Sequence, residues 1–252
     1  MKKLIITTII LLSISYVFSQ EPERNNASFS LGDGISFSFN EGDYEFNIYG
    51  FIKPTYIYND EKNYTADGEY SNVFRQFKSQ NSNLFFTGFA KDEKLSFTIQ
   101  MDYSSSNPLV EAFIGYHFNE KTSLYFGQMQ VNHNNLEMTY NEDRLRFTNR
   151  GILSQTYTEN GEEFGLFFET SFGNQFVVNP TLAVTSGDGK NSFGEDSRDS
   201  DKGGVKFGSR INILPFGDFS IGNRLSTVDL IHEEKPKVQI GVAYSKNMGA
   251  ST

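Results

Sequence analysis

Leu95-Ser-Phe-Thr-Ile-Gln-Met-Asp-Tyr103 alternates without a fault: Leu95, Phe97, Ile99, Met101 and Tyr103 share one parity, and Ser96, Thr98, Gln100 and Asp102 share the other. Successive side chains of a β-strand point to opposite faces, so this stretch predicts a strand with one apolar and one polar surface. Similar runs on either side predict strands over Leu84–Ala90, Val110–Phe118, Ser123–Val131, Phe164–Phe172, Phe176–Val184, Val205–Leu214, Phe219–Leu225 and Val238–Tyr244. Tyr44–Tyr58 reads as a further strand, with Tyr44, Phe46, Ile48, Ile52, Pro54, Tyr56 and Tyr58 opposite Glu45, Asn47, Lys53 and Thr55, although Tyr49, Phe51 and Ile57 fall on the polar side. The expected total is about ten strands, most of them near the roughly 9–11 residues with which a tilted barrel strand crosses a membrane. Asn25–Gly42 reads as an exposed lead-in, because glycines break Phe29–Phe37 too often for a full spanning strand.

The connections alternate in character. Lys91-Asp92-Glu93, Asn119-Glu120-Lys121, Gly173-Asn174 and Pro215-Phe216-Gly217 are short turns, whereas Asn59–Ser82, Asn132–Gly161, Gly187–Gly203 and Asp229–Lys235 are longer polar stretches. Short turns on one rim and long loops on the other predict an all-β fold, a transmembrane antiparallel up-and-down β-barrel. A secreted β-sandwich also alternates in and out. Long strands and an apolar parity with aromatics at both ends favour the barrel.

Residues 1–19 predict export. Lys2 and Lys3 form a positive n-region, Leu4–Ile14 an apolar h-region, and Val17-Phe18-Ser19 places a small residue at the expected cut, so that Gln20 starts the mature chain. The alternative, a membrane anchor, needs roughly 20 apolar residues, more than this segment has. The expected organisation is therefore a signal peptide at 1–19, a lead-in at 20–42 and an outer-membrane barrel domain at 43–252. Because Gly249-Ala250-Ser251-Thr252 follows the last predicted strand without a terminal aromatic, the strand set is expected to lack C-terminal members. The alternative is that ten strands close on themselves.

Composition narrows the function classes. The formal net charge is −9, and loss of Lys2 and Lys3 makes the mature chain more acidic still. No basic stripe exists to displace counterions from a phosphate backbone, so no nucleic-acid partner is expected. The absence of cysteine excludes disulfides and thiolate metal sites. Twenty-five Phe and 13 Tyr suit interfacial girdles, and a mean hydropathy of −0.45 is compatible with a barrel, whose lipid face uses only alternate residues.

Several pieces together resemble the phosphate-selective porin O and P family of Gram-negative outer membranes. They are Ser186-Gly-Asp-Gly-Lys-Asn191, the stretch Gly203–Gly217 with its Arg210-Ile-Asn-Ile-Leu-Pro-Phe-Gly217 end, and Pro236-Lys-Val-Gln-Ile-Gly-Val-Ala-Tyr-Ser-Lys-Asn247. Gly32-Asp33-Gly34 and Tyr44–Pro54 resemble that family's opening strand, and Tyr125-Phe-Gly-Gln128 its strand leading to the inner loop. The resemblance implies a water-filled pore, commonly a homotrimer, with basic side chains along an anion path and more strands than are found here. The dense basic ladder that phosphate selectivity calls for is not seen in this chain.

The candidate site residues are charges. Lys206 and Arg210 lie on the parity opposite Val205, Phe207, Ile211 and Ile213, and with Lys53 and Arg224 they are predicted to line the lumen as a cationic strip. The alternative is that they are paired with Glu45, Glu111 or Glu169. Arg144, Arg146 and Arg150 beside Glu142 and Asp143 fall in Asn132–Gly161, which is long enough to fold inward as a constriction with a transverse field, or else to stay outside as a surface loop. Acidic residues in Gly187–Gly203 lack EF-hand spacing, so no metal is expected. His117, His133 and His232 are the imidazoles a hydrolase would need, but no Gly-x-Ser-x-Gly elbow accompanies them. The expectation is an outer-membrane porin for passive diffusion of small solutes, phosphate-like anions among them, with outer-membrane lipid as its surroundings, no cofactor and no catalytic residues. A non-enzymatic barrel acting as adhesin or assembly component is the alternative, and a barrel hydrolase the second.

Overall fold

The computed structural model describes residues 25–90, 92–147, 149–158, 161–187, 189 and 204–249. The predicted signal peptide at 1–19 and nearly all of the acidic stretch Gly187–Gly203 lie outside the described residues. The fold is all-β, with one antiparallel sheet of 11 strands and a separate two-stranded hairpin. In chain order the strands are β1 (Asn26–Ser30), β2 (Gly34–Phe39), β3 (Tyr44–Gly50), β4 (Pro54–Thr65), β5 (Gly68–Ser79), β6 (Asn83–Ala90), β7 (Leu95–Asp102), β8 (Leu109–Asn119), β9 (Thr122–Gln130), β10 (Glu162–Thr170), β11 (Val177–Thr185), β12 (Val205–Leu214) and β13 (Ile240–Met248). A short helix, α1 (Ile152–Tyr157), sits in the connection from β9 to β10.

The large sheet runs as a meander, β1-β2-β3-β6 through β13, and the β4–β5 hairpin is inserted between β3 and β6. Among the described residues β1 pairs with β2 alone and β13 with β12 alone, so these two are the sheet's outer strands.

Three expectations are corrected. The predicted strand Tyr44–Tyr58 is broken at residues 51–53, before Pro54, whose missing N–H cannot continue a ladder; the faults in its alternation mark this break. Asn59–Ser82, predicted as a polar loop, is mostly hairpin, with β4 and β5 each 12 residues long and paired from Pro54↔Ser79 to Thr65↔Gly68. Phe219–Leu225 is not a strand: a 3-10 turn occupies Ile221–Asn223 and Leu225 has φ 54°, so the connection from β12 to β13 is long. In addition, the stretch read as a lead-in contributes β1 and β2, which pair from Asn26↔Ser38 to Ser30↔Gly34.

Cross-strand partners share a face, so the register assigns every side chain to a surface. One row runs Phe37–Phe46–Gly88–Phe97–Ile114–Phe126–Leu166–Val184–Phe207. A neighbouring row on the reverse runs Ser36–Asn47–Thr87–Thr98–Phe113–Gly127–Gly165–Thr185–Lys206–Asn247. The gap in the apolar row is filled by a ring: at Gly88 any Cβ would collide with the Phe97 side chain, which lies across it. Phe46 stacks on Phe86 at 6.4 Å and on Phe97 at 6.1 Å, which ties β3, β6 and β7 on this face.

Burial inverts the usual arrangement. Ile114 is 62%, Leu182 55% and Val242 72% exposed on the apolar face, whereas Glu163 is 0% and Arg210 6% exposed on the polar face. Water-soluble monomers rarely leave an apolar sheet face of such extent uncovered. The chain covers its polar face instead.

Candidate functional site

The polar face is covered by two chain segments that arrive from opposite rims. The turns after β2, β6, β8 and β10 define one rim, from which the connection from β12 to β13 also departs. The hairpin and the connections after β7, β9 and β11 define the other.

From this second rim, residues 131–161 fold onto the polar face. The Val131 N–H donates to Gly161 O at 2.9 Å and closes the neck of the segment. Val131 then packs with Phe167 and Ala183 in a small apolar cluster flanked by Tyr125 and Met129. His133 lies against Gly208 of β12, where any Cβ would collide with its ring. It is buried, and among the described residues neither ring nitrogen has a hydrogen-bond partner. Burial pushes this imidazole below its ordinary value, against the raising influence of Glu163. Further along, Glu137 caps the start of α1: a Ser154 hydrogen bond and the Gly151 N–H, at 3.0 Å, hold its carboxyl below the usual range.

The segment reaches both sides of the sheet. Asn81, two residues before β6, donates to Glu142 at 3.3 Å, and Arg210 of β12 donates to Asn134 O at 2.8 Å. Tyr140 shares a cavity with Asn83 and Gln100 of β6 and β7. Burial raises its phenol, and the charge of Arg210 lowers it again. Four strand intervals in a flat sheet would span about 19 Å at about 4.8 Å each. Asn83 of β6, Gln100 of β7, Glu111 of β8, Gln130 of β9 and Glu162 of β10 nevertheless line this one small cavity with Tyr140, so the polar face is concave there.

The predicted lumen cations are placed as follows. Lys206 bonds Glu163 at 2.5 Å, and Thr185 donates to the other oxygen of the same carboxylate; its carboxylate partner is thus Glu163 and none of Glu45, Glu111 and Glu169. Arg210 donates to Asn212 at 2.6 Å as well as to Asn134 O, which joins strand to inner segment. Lys53 lies in the break between β3 and β4, where its N–H donates to Ser82 Oγ at 3.0 Å. Arg224 is not on a strand: it lies just after the Ile221–Asn223 turn, is paired with Asp218 and has a largely exposed side chain.

The three arginines of the inner segment have unlike roles. Arg150 is half-buried, meets Glu142 at 2.8 Å, and donates to the carbonyls of Glu137 and Tyr140. It therefore acts as a clasp within the segment. Arg144 lies 3.9 Å from Asp143 and donates to Gly222 O at 3.3 Å. Arg146 is exposed, with its guanidinium 5.8 Å from the Phe147 ring centre. Replacing Arg150 with Met should raise amide exchange across 137–151 by the equivalent of about 2–3 kcal/mol, the scale for lost charge-assisted bonds in a partly buried pair, while protection in β10 to β12 stays unchanged.

From the first rim, residues 215–239 form a second inward segment, built around Asn223. Its side-chain amide donates to Asp229 at 2.7 Å and to Glu233 at 3.1 Å, and its oxygen accepts from the N–H groups of Leu230 and Ile231. These bonds hold Asp229 below the usual carboxylate range, and the Ser220 N–H does the same for Glu233. Neither this hub nor Glu163 was singled out from sequence. Glu163 stands on the polar parity of β10, but only the register brings it to Lys206.

Between the polar face and the 131–161 segment a cavity of about 110 Å³ remains. Its walls carry Asp102, Glu111, Glu142 and Glu162, and Arg150 is the sole base among them. Among the described residues, no group of His, Asp and Glu is arranged to hold a metal ion, and no helix is long and apolar enough to cross a membrane.

No protein-family model matches the chain, and no curated protein does so either.

Proposed function

We propose that the chain is an exported outer-membrane β-barrel protein that acts as a narrow pore, with residues 1–19 as its export signal. The observation that carries this reading is the inverted sheet: an exposed apolar face suited to hydrocarbon, and a polar concave face occupied by the chain's own segments. A bilayer supplies what the apolar face lacks, and the inner strands, each paired on both sides, satisfy their backbone within it.

The wall charge suggests cations as permeants in preference to the phosphate-like anions that the family resemblance implies. Lys206, Arg210, Arg150 and Arg224 are each engaged by carboxylates, amides or carbonyls, while the charged groups around the open space are four carboxylates, Glu142 among them paired with Arg150, and that one base. Charge at a constriction sets the sign of selectivity.

Purified full-length protein in a planar bilayer under a KCl gradient should give discrete conductance, with a reversal potential of cation-selective sign. Glu111→Gln combined with Asp102→Asn should move that potential toward zero. Folded, inserted protein that passes no current would favour the second reading, a barrel working as adhesin or assembly component. That reading draws on the β4–β5 hairpin, where the Tyr56 and Phe77 rings meet tilted at 4.8 Å and remain exposed, with Arg75 over Tyr58 at 5.5 Å.

A further inference from the structure

We infer that residues 218–236 form a gate, latched across the pore by contact between Thr227 and the Arg144–Arg146 stretch of the opposite segment. This rests on the pore reading and adds a moving part to it.

Among the described residues, every hydrogen bond that leaves 218–236 ends on Arg144 or Arg146. The Arg144 carbonyl accepts from Thr227 N at 3.1 Å, from Thr227 Oγ1 at 3.2 Å and from Ser226 Oγ at 3.5 Å. Thr227 Oγ1 in turn accepts from the Arg146 N–H, and Arg144 Nη1 donates to Gly222 O at 3.3 Å. All other hydrogen bonds of the segment are internal. Asn223 gathers its two ends, and just outside it Lys237 Nζ donates to Phe216 O at 2.9 Å to close the neck. A segment bonded chiefly to itself moves as a unit. Its two pivots are at hand: Gly217 has φ 78°, a conformation open to glycine, and Pro236 precedes β13.

The latch joins chain that enters from one rim to chain that enters from the other. Its bonds are few and polar, and water can replace each of them. Release of these bonds, those of Thr227 together with the Arg144–Gly222 and Ser226–Arg144 contacts, would separate the two segments without disturbing a ladder of the sheet.

The chain contains no cysteine, so a paired substitution reports on this contact alone. The double variant Arg146→Cys with Thr227→Cys should cross-link on oxidation, since a backbone N–H of one residue already meets the side chain of the other. Expected are a several-fold lower mean conductance and loss of open–closed fluctuation when oxidised, both restored by reduction. Thr227→Val, which removes the hydroxyl and needs no new bond, should shift the pore toward its open level. The same variant in detergent should be cut several-fold faster by trypsin after Arg224. Equal conductance and fluctuation in the oxidised and reduced forms would overturn the gate. If no form conducts, wild type included, the pore reading falls, and the trypsin rate decides the latch alone: faster cutting in Thr227→Val upholds it, and an unchanged rate overturns it.

Discussion

Ile114→Lys should destabilise the protein folded in lipid vesicles by about 2–4 kcal/mol, the cost of a lysine at mid-depth on the lipid face of a barrel. Ile114 lies in the middle of β8, on the apolar row between Phe97 and Phe126, and its side chain is largely exposed. If that face met water, the same change would replace an exposed apolar group with a charged one and alter stability by no more than about 0.5 kcal/mol. The two expectations differ by several-fold, well outside the error of denaturant extrapolation. Chemical unfolding of the vesicle-inserted protein therefore decides between them. Lys placed at Thr98, on the reverse of β7, is the internal control. That position faces the polar side, where a charge has water and carboxylates within reach, and the penalty should be much smaller.

The same contrast of faces explains what could be read from sequence. Leu95–Asp102 and Val205–Leu214 were legible because each has one apolar face, interrupted in the second only by Ser209, and an uncovered apolar face prints a period of two. The β4–β5 hairpin was hidden for the opposite reason. Solvent meets both of its faces, so Tyr58 opposes Arg75 and Asn59 opposes Phe74, and no parity survives. Phe219–Leu225 imitated a strand because Phe219, Ile221 and Leu225 alternate by chance. The bonds that give this stretch its shape come from Asn223, whose partners Asp229 and Glu233 lie beyond the window in which periodicity is sought. For the charges, parity placed Lys206 and Arg210 on the polar face. It carried no information on what they meet there, since Glu163 and Asn134 come into contact only through the register of three neighbouring strands and the inward path of residues 131–161.

Lys206→Met should be among the most damaging single changes on the polar face, costing about 3–5 kcal/mol, because it leaves the Glu163 carboxylate buried without its counter-ion. Glu163 is fully buried, while Lys206 keeps a partly exposed side chain. The pair is therefore asymmetric: a lysine stripped of its partner can still reach water, and a carboxylate stripped of its lysine cannot. Glu163→Leu alone should accordingly cost less than Lys206→Met alone. The double variant Glu163→Leu with Lys206→Met removes both charges, leaves only the Thr185 hydroxyl to find another acceptor, and should recover most of the loss. A double-mutant cycle by denaturant unfolding should then give a coupling of about 2–3 kcal/mol, at the upper end of the range for residues in contact. Coupling near zero would mean that the two side chains do not meet across β10, β11 and β12 in the folded protein. The register Gly165↔Thr185 and Thr185↔Lys206, on which the whole assignment of faces depends, would then have to be redrawn.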